Sequence, residues 1–159
     1  KNINLVGQLK EALDIPIYFT TDVNASAYGE MKNTGIKNLV YLTIGTGIGG
    51  GAIQNGYFIG GIGHSEMGHQ RINRHRDDLT FEGICPFHGD CLEGVAAGPS
   101  LEARTGILGE KISSDDPIWD ILSYYIAQAA INATLTRCNG VFENDFALHL
   151  ILQDFPPFL

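Results

Sequence analysis

The sequence predicts an α/β domain, on three observations. Two runs rich in β-branched, aromatic and aliphatic residues, Ile17 to Thr21 and Leu39 to Ile44, have strand character. Other segments repeat their apolar residues at helical spacing. Asn55-Gly56 stands between two apolar runs, the strongest short-range signal for a β-hairpin.

Taken in order, Leu5, Leu9 and Leu13 recur one helical turn apart, so a helix is expected there. It ends by Pro16, because the residue before a proline leaves the helical region. Ile17-Tyr18-Phe19-Thr20-Thr21 follows as a strand with Asp22 at its end. Ala25, Ala27 and Met31 mark a second helix from Val23 to about Lys32, with Asp22 or Asn24 near its N-terminus. Leu39 to Ile44 is apolar throughout, as a buried strand is. The glycine-rich run Gly45 to Gly51 leads through Ala52-Ile53 to the hairpin turn and to Tyr57-Phe58-Ile59. From Gly60 to about Gly94 the chain is rich in Gly, His and Cys and lacks hydrophobic period. A stretch of that length needs an external organiser, and a metal would serve. A short helix is expected from Ser100 to Arg104. Asp115-Asp116-Pro117 opens a longer one with the stripe Ile118, Ile121, Leu122, Tyr125, Ile126, Ala129, Ala130 and Ala133.

At 159 residues, 44% apolar and 18% charged, the chain has the length and composition of one globular domain. No apolar run approaches the roughly 20 residues needed to span a bilayer, and the first residues lack a signal-peptide core. The cytoplasm is the expected location, without membrane partners. A net charge of −8 argues against a nucleic-acid partner, which would require a basic face.

Two segments carry chemistry. Gly45-x-Gly47-x-x-Gly50 matches the dinucleotide fingerprint, but that motif needs a helix after the loop, and a hairpin follows here. The alternatives are a strand–turn–strand phosphate loop, with backbone N–H groups and the Thr46 hydroxyl at the phosphates, or a glycine-rich turn with no ligand. Cys85, His88 and Cys91, joined by upstream His69, form a Cys2His2 set suited to tetrahedral zinc. Thiolates select against magnesium and calcium, and four protein ligands leave no open position, so the expected zinc is structural. His75 competes as fourth ligand but sits in the charged run Arg74 to Asp78 and reads as a solvated loop residue. The bland reading of the cluster is buried free cysteines beside surface histidines.

Together these residues resemble the ROK family of sugar kinases and repressors. The resemblance is carried by Asp22-Val23-Asn24-Ala25, the Gly45–Gly51 loop, Glu66-x-Gly68-His69, the cluster ending Cys91-x-Glu93, and Gly98-Pro99 with Glu102-Ala103-Arg104. The Cys85-x2-His88-x2-Cys91 form is similar to the fructokinase branch of that family. The resemblance implies an actin-like, ribonuclease H-like ATPase fold and transfer of the ATP γ-phosphoryl group to a hexose 6-hydroxyl, fructose above all, with magnesium accompanying ATP. It implies Asp22 as catalytic base, Asn24, Glu66, His69 and Glu93 at the sugar, and His69, Cys85, His88 and Cys91 at zinc. Gly45, Thr46, Gly47, Gly49, Gly50, Gly98 and Pro99 would lie at the nucleotide. Without the resemblance Asp22 reads equally well as a helix cap. A homodimer is expected for the intact protein.

The pattern departs in three places. Thr21 stands where the family carries Asn; an Asp-x-Gly-Gly-Thr-type loop is absent; and Arg137 onward lacks the family's Gly-Gly-Gly-Val turn. Residues 1–136 are therefore expected to form a partial kinase domain, the C-terminal lobe with its zinc loop, with the N-terminal lobe largely absent and no turnover by the chain alone. Residues 137–159 read as an atypical tail, truncated or frame-shifted, whose apolar end is expected to pack poorly. Two other classes stay open: a sugar-sensing repressor of the same family, although no basic helix-turn-helix segment is present, and a zinc-stabilised binding module without catalysis.

Overall fold

Alternation along the chain explains the central layer. In β1 (Asn38–Ile44), Val40, Leu42 and Ile44 face one side and Leu39 the other, and all four are buried. Such a strand must be covered on both faces. It pairs antiparallel with β2 (Ile48–Gln54), Leu39 opposite Ile53 and Ile44 opposite Ile48. Asn55-Gly56, with φ of 52° and 83°, turns β2 into β3 (Tyr57–Phe58), as its sequence requires. The other edge of β1 holds β4 (Phe146–Leu152) in parallel, giving the order β3-β2-β1-β4. The computed structural model describes residues 3–61, 63–135 and 146–152.

Helices complete a three-layer α/β domain. On one face lies α2 (Asp22–Thr34), whose Ala27 packs with Leu39 and Ile53. Close approach is possible because a Cβ on Gly51 would stand 2.2 Å from the Val23 carbonyl oxygen. The other face is covered by α3 (Leu92–Ala96) and α5 (Ile118–Leu135), which bring Leu92, Val95, Tyr125 and Ala129 onto Val40, Leu42 and Ile44. Between these two helices in the chain, α4 (Gly98–Thr105) packs Leu101 against Ile118, Trp119 and Leu122. The acids before α5 act as expected: Asp116 Oδ1 accepts from Ile118 N at 2.9 Å. Among the described residues no helix is long and apolar enough to cross a membrane.

Three expectations are corrected. Ile17 to Thr21 is not a strand, and Tyr18 and Phe19 are 90% and 68% exposed. β-propensity expresses itself only against a ladder partner, and none of the described strands pairs with this segment. The helix before it, α1 (Leu5–Ala12), forms behind an Asn4 cap but buries none of its residues. Second, Asp22 stands at the N-terminus of α2 as expected but is not its cap. Thr21 Oγ1 accepts from Asn24 N at 3.4 Å, and Asp22 is the first helical residue. Third, the loose packing expected of the tail does not hold over 146–152. That apolar run pairs along all of β1, and its Leu148 packs on the core. Residues 137–145 and 153–159 lie outside the described residues.

Candidate functional site

With Thr21 as the cap, the exposed carboxylate of Asp22 stands at the mouth of a cleft of about 400 Å³. Ser26 of α2, Tyr41 and Thr43 of β1, the turn Gly45-Thr46-Gly47, His64 and Glu93 complete its walls. The turn closes on itself through Gly45 N to Gly47 O at 2.9 Å. Glu93, at the start of α3, braces it: Glu93 Oε2 accepts from Ile48 N at 2.9 Å.

Thr46 belongs to two clefts. It also lines a second one of about 230 Å³ with Gly98, Pro99, Glu102 and Leu108. Gly98 N donates to Gly45 O at 2.7 Å, locking the start of α4 to the glycine turn. The partly positive N-terminal end of that helix and the turn amides offer an anion site. Sequence-distant segments expected at a nucleotide are thus adjacent.

Two expected ligand contacts are placed elsewhere. Gly50 lies in β2 and alternation turns it away from the cleft, where a Cβ would meet Met67 Sδ at 2.7 Å. Asn24 is fully buried. Its Nδ2 donates to Gly63 O at 2.8 Å and to Thr20 Oγ1 at 3.3 Å, so it ties the loop before Glu66 to α2 rather than facing a sugar.

The four expected zinc ligands converge. His69, Cys85, His88 and Cys91 place their ligand atoms within 4.8 Å of one another. His69 Nδ1 lies 3.7 Å from Cys85 Sγ and 3.5 Å from Cys91 Sγ, and His88 Nδ1 lies 3.8 Å from Cys85 Sγ. A tetrahedron with Zn–S of about 2.3 Å and Zn–N of about 2.0–2.1 Å has S···N edges of about 3.5 Å, so the donor set fits that ion. Burial pushes the Cys85 thiol up, but the amides of Phe87 and His88 directed at its sulfur outweigh this and hold it below its ordinary value. Burial and the adjacent Cys85 sulfur push the Cys91 thiol above its ordinary value, so of the two Cys85 is the one poised as the thiolate a metal requires. Because His69 turns Nδ1 inward, its Nε2 is left for other partners, while a single 3₁₀ turn, Met67–His69, presents Glu66 just before it. A Cβ on Gly68 would stand 2.0 Å from Ile48 O, so this turn docks directly on β2. His75 lies outside the cluster, edge-on to Tyr124 at 5.1 Å.

A buried ion-pair network that the sequence did not disclose anchors the loop. Asp78, 6% exposed, accepts from Arg104 Nε at 2.9 Å, Arg104 Nη2 at 2.8 Å and the Tyr125 hydroxyl at 2.7 Å. Arg74 binds the carbonyl oxygens of Asp78 and Phe81. Burial raises the Asp78 pKa, but the bonds from Arg104 and Tyr125 and the two arginine charges outweigh it and hold the group below its ordinary value. A carboxylate with a lowered folded-state pKa contributes stability above its unfolded value of about 3.9, lost as pH falls through the folded value. Asp78→Asn leaves Arg104 unpaired in the interior and is expected to cost about 3 kcal/mol at neutral pH. Urea unfolding should show that gap unchanged from about pH 7 to about pH 5 and narrowing below about pH 4.

A larger cavity, about 690 Å³, shares no residue with the Asp22 cleft. Two of its carboxylates are already committed, buried Asp78 to Arg104 and half-buried Asp116 to the start of α5. We place the site in the smaller cleft, where a carboxylate, a glycine turn and the metal-type loop meet.

The fold and site describe a mixed α/β domain in which a glycine turn lies near a His/Cys cluster of the zinc-site type. The chain belongs to the ROK family, whose profile matches residues 1–139. It is 88% identical to the fructokinase of Lactococcus lactis subsp. cremoris, over 98% of this chain and 56% of that protein. It is 60% identical to the fructokinase of Streptococcus mutans, over 99% of this chain and 57% of that protein. The chain thus spans a little over half the length of these relatives. The crystal structure of a ROK hexokinase from Thermus thermophilus superposes with a TM-score of 0.68 at 24% identity, covering 91% of this chain and 54% of that one. The likeness to it is one of fold.

Proposed function

We propose that this chain carries the sugar-binding half of an ATP-dependent hexose kinase that converts D-fructose to fructose 6-phosphate. The observation that carries this reading is that the Asp22 cleft and the Thr46–Gly98 cleft meet at one residue, Thr46. A sugar in the first and a nucleotide in the second would bring a hydroxyl and a γ-phosphate together. In the reaction the sugar 6-hydroxyl oxygen bonds to phosphorus, the bond from phosphorus to the ADP oxygen breaks, and Asp22 accepts the hydroxyl proton. Glu66, His69 Nε2 and Glu93 hold the other hydroxyls; carboxylates suit this because each accepts several hydrogen bonds. Thr46, the turn glycines and the Gly98-Pro99 start of α4 hold the phosphates.

Zinc on His69, Cys85, His88 and Cys91 supplies no chemistry to the sugar. It fixes the loop and the His69 tautomer. Magnesium accompanies ATP. In this reading the domain is the C-terminal lobe of an actin-like, ribonuclease H-like ATPase fold, working in the cytoplasm where ATP is available. The test places residues 1–135 of this chain in the frame of the Lactococcus lactis fructokinase and follows ADP release in a coupled assay. ATP-dependent turnover of fructose is expected. Fructose binding without turnover would assign the site to sensing instead.

A further inference from the structure

His64 belongs to none of the motifs above. It lines the cleft together with Asp22 and Glu93. Its side chain is 24% exposed, and its Nε2 lies 3.7 Å from Glu66 Oε1. Its Nδ1 is buried and finds no hydrogen-bond partner among the described residues. The backbone beside it is held, since Asn24 Nδ2 donates to Gly63 O at 2.8 Å.

We infer that His64 is a further sugar-positioning residue, which with Glu66 clamps one hydroxyl of the hexose. The inference rests on the sugar-kinase reading above. A buried N–H without an acceptor costs more than an unmet lone pair and is rarer, so the unpartnered Nδ1 carries the lone pair and Nε2 carries the proton. Nε2 and the Glu66 carboxylate stand side by side, too far apart for a direct hydrogen bond, which closes at about 3.2 Å. A hydroxyl oxygen placed about 2.8 Å from both groups bridges the gap. It accepts from His64 Nε2–H and donates its own proton to Glu66 Oε1. The pair therefore presents one donor and one acceptor, the complement of a single hydroxyl group. It adds a contact that neither the zinc ligands nor Asp22 provides.

The experiment uses the zinc-loaded 159-residue chain with fructose as the probe. Long-range proton–nitrogen spectra of the histidine rings should show His64 in the Nε2–H tautomer, with Nε2 shifting saturably as fructose is added. His64→Ala should weaken fructose binding about tenfold, one lost hydrogen bond. His64→Gln, whose amide NH2 can reach the same point, should bind within about threefold of the parent. Neither variant should change Tm appreciably, which separates this role from a structural one. Fructose affinity unchanged in His64→Ala would overturn the clamp, as would a His64 ring that stays still while resonances around Glu93 move. Either result leaves the sugar site standing. No fructose binding by the parent chain overturns the sugar-site reading and the clamp with it. Should His64→Ala fail to fold, the tautomer and His64→Gln decide.

Discussion

Asp22→Asn in the grafted kinase is expected to lower kcat by about 10³ while fructose affinity stays within about threefold of the parent. The amide keeps the size of the carboxylate and can still accept from Val23 N, as Asp22 Oδ1 does at 2.9 Å. What it lacks is a site for the hydroxyl proton. Because Thr21 supplies the helix cap, the substitution should leave the start of α2 intact. A kinetic loss therefore reads the chemistry and not the fold. Retention of most of the kcat, measured beside an unchanged melting curve, would reduce Asp22 to a helix-start residue.

Cys85→Ser should release zinc and lower Tm by about 10 °C, the largest stability effect we expect. The parent chain should hold one zinc by elemental analysis after chelator washing. The size follows from where the metal sits. The Cys85 and Cys91 sulfurs are buried beneath a loop with little secondary structure of its own, and Cys91 leads straight into α3, which packs in the main core. Losing the ion therefore loosens the sugar loop and a core helix together. Strong chelation of the parent should reproduce the effect, and added zinc should restore the parent alone. Native protein whose thiols titrate freely and which holds no zinc would remove the metal from the account.

Features encoded within a few residues were legible in advance. Asn55-Gly56 fixes the β2–β3 hairpin through its own dihedral angles, and Cys85, His88 and Cys91 announce a metal by residue type and spacing. The long helix likewise follows from a stripe and an acidic start. What depends on distant partners was not legible. Ile17 to Thr21 has the composition of a strand, but a ladder is a property of two segments, and β1 takes others. The charged run around Asp78 looks solvated until Arg104 and Tyr125 arrive from two helices to bury it. Asn24 sits within the Asp22 motif yet serves the fold, because its amide meets Gly63. His64 gave one faint signal, its place two residues before Glu66. Only the shared cleft gives it a role.

The central claim is that the sugar half of the site lies within this chain and stands on the zinc-held loop. Calorimetry of the 159-residue chain with fructose, run once with zinc bound and once after chelation, tests it most directly. We expect saturable fructose binding in the zinc-loaded chain and a loss of at least about tenfold in affinity after chelation, restored when zinc returns. Equal affinity with and without zinc, in a chain shown to bind the metal, would contradict the account.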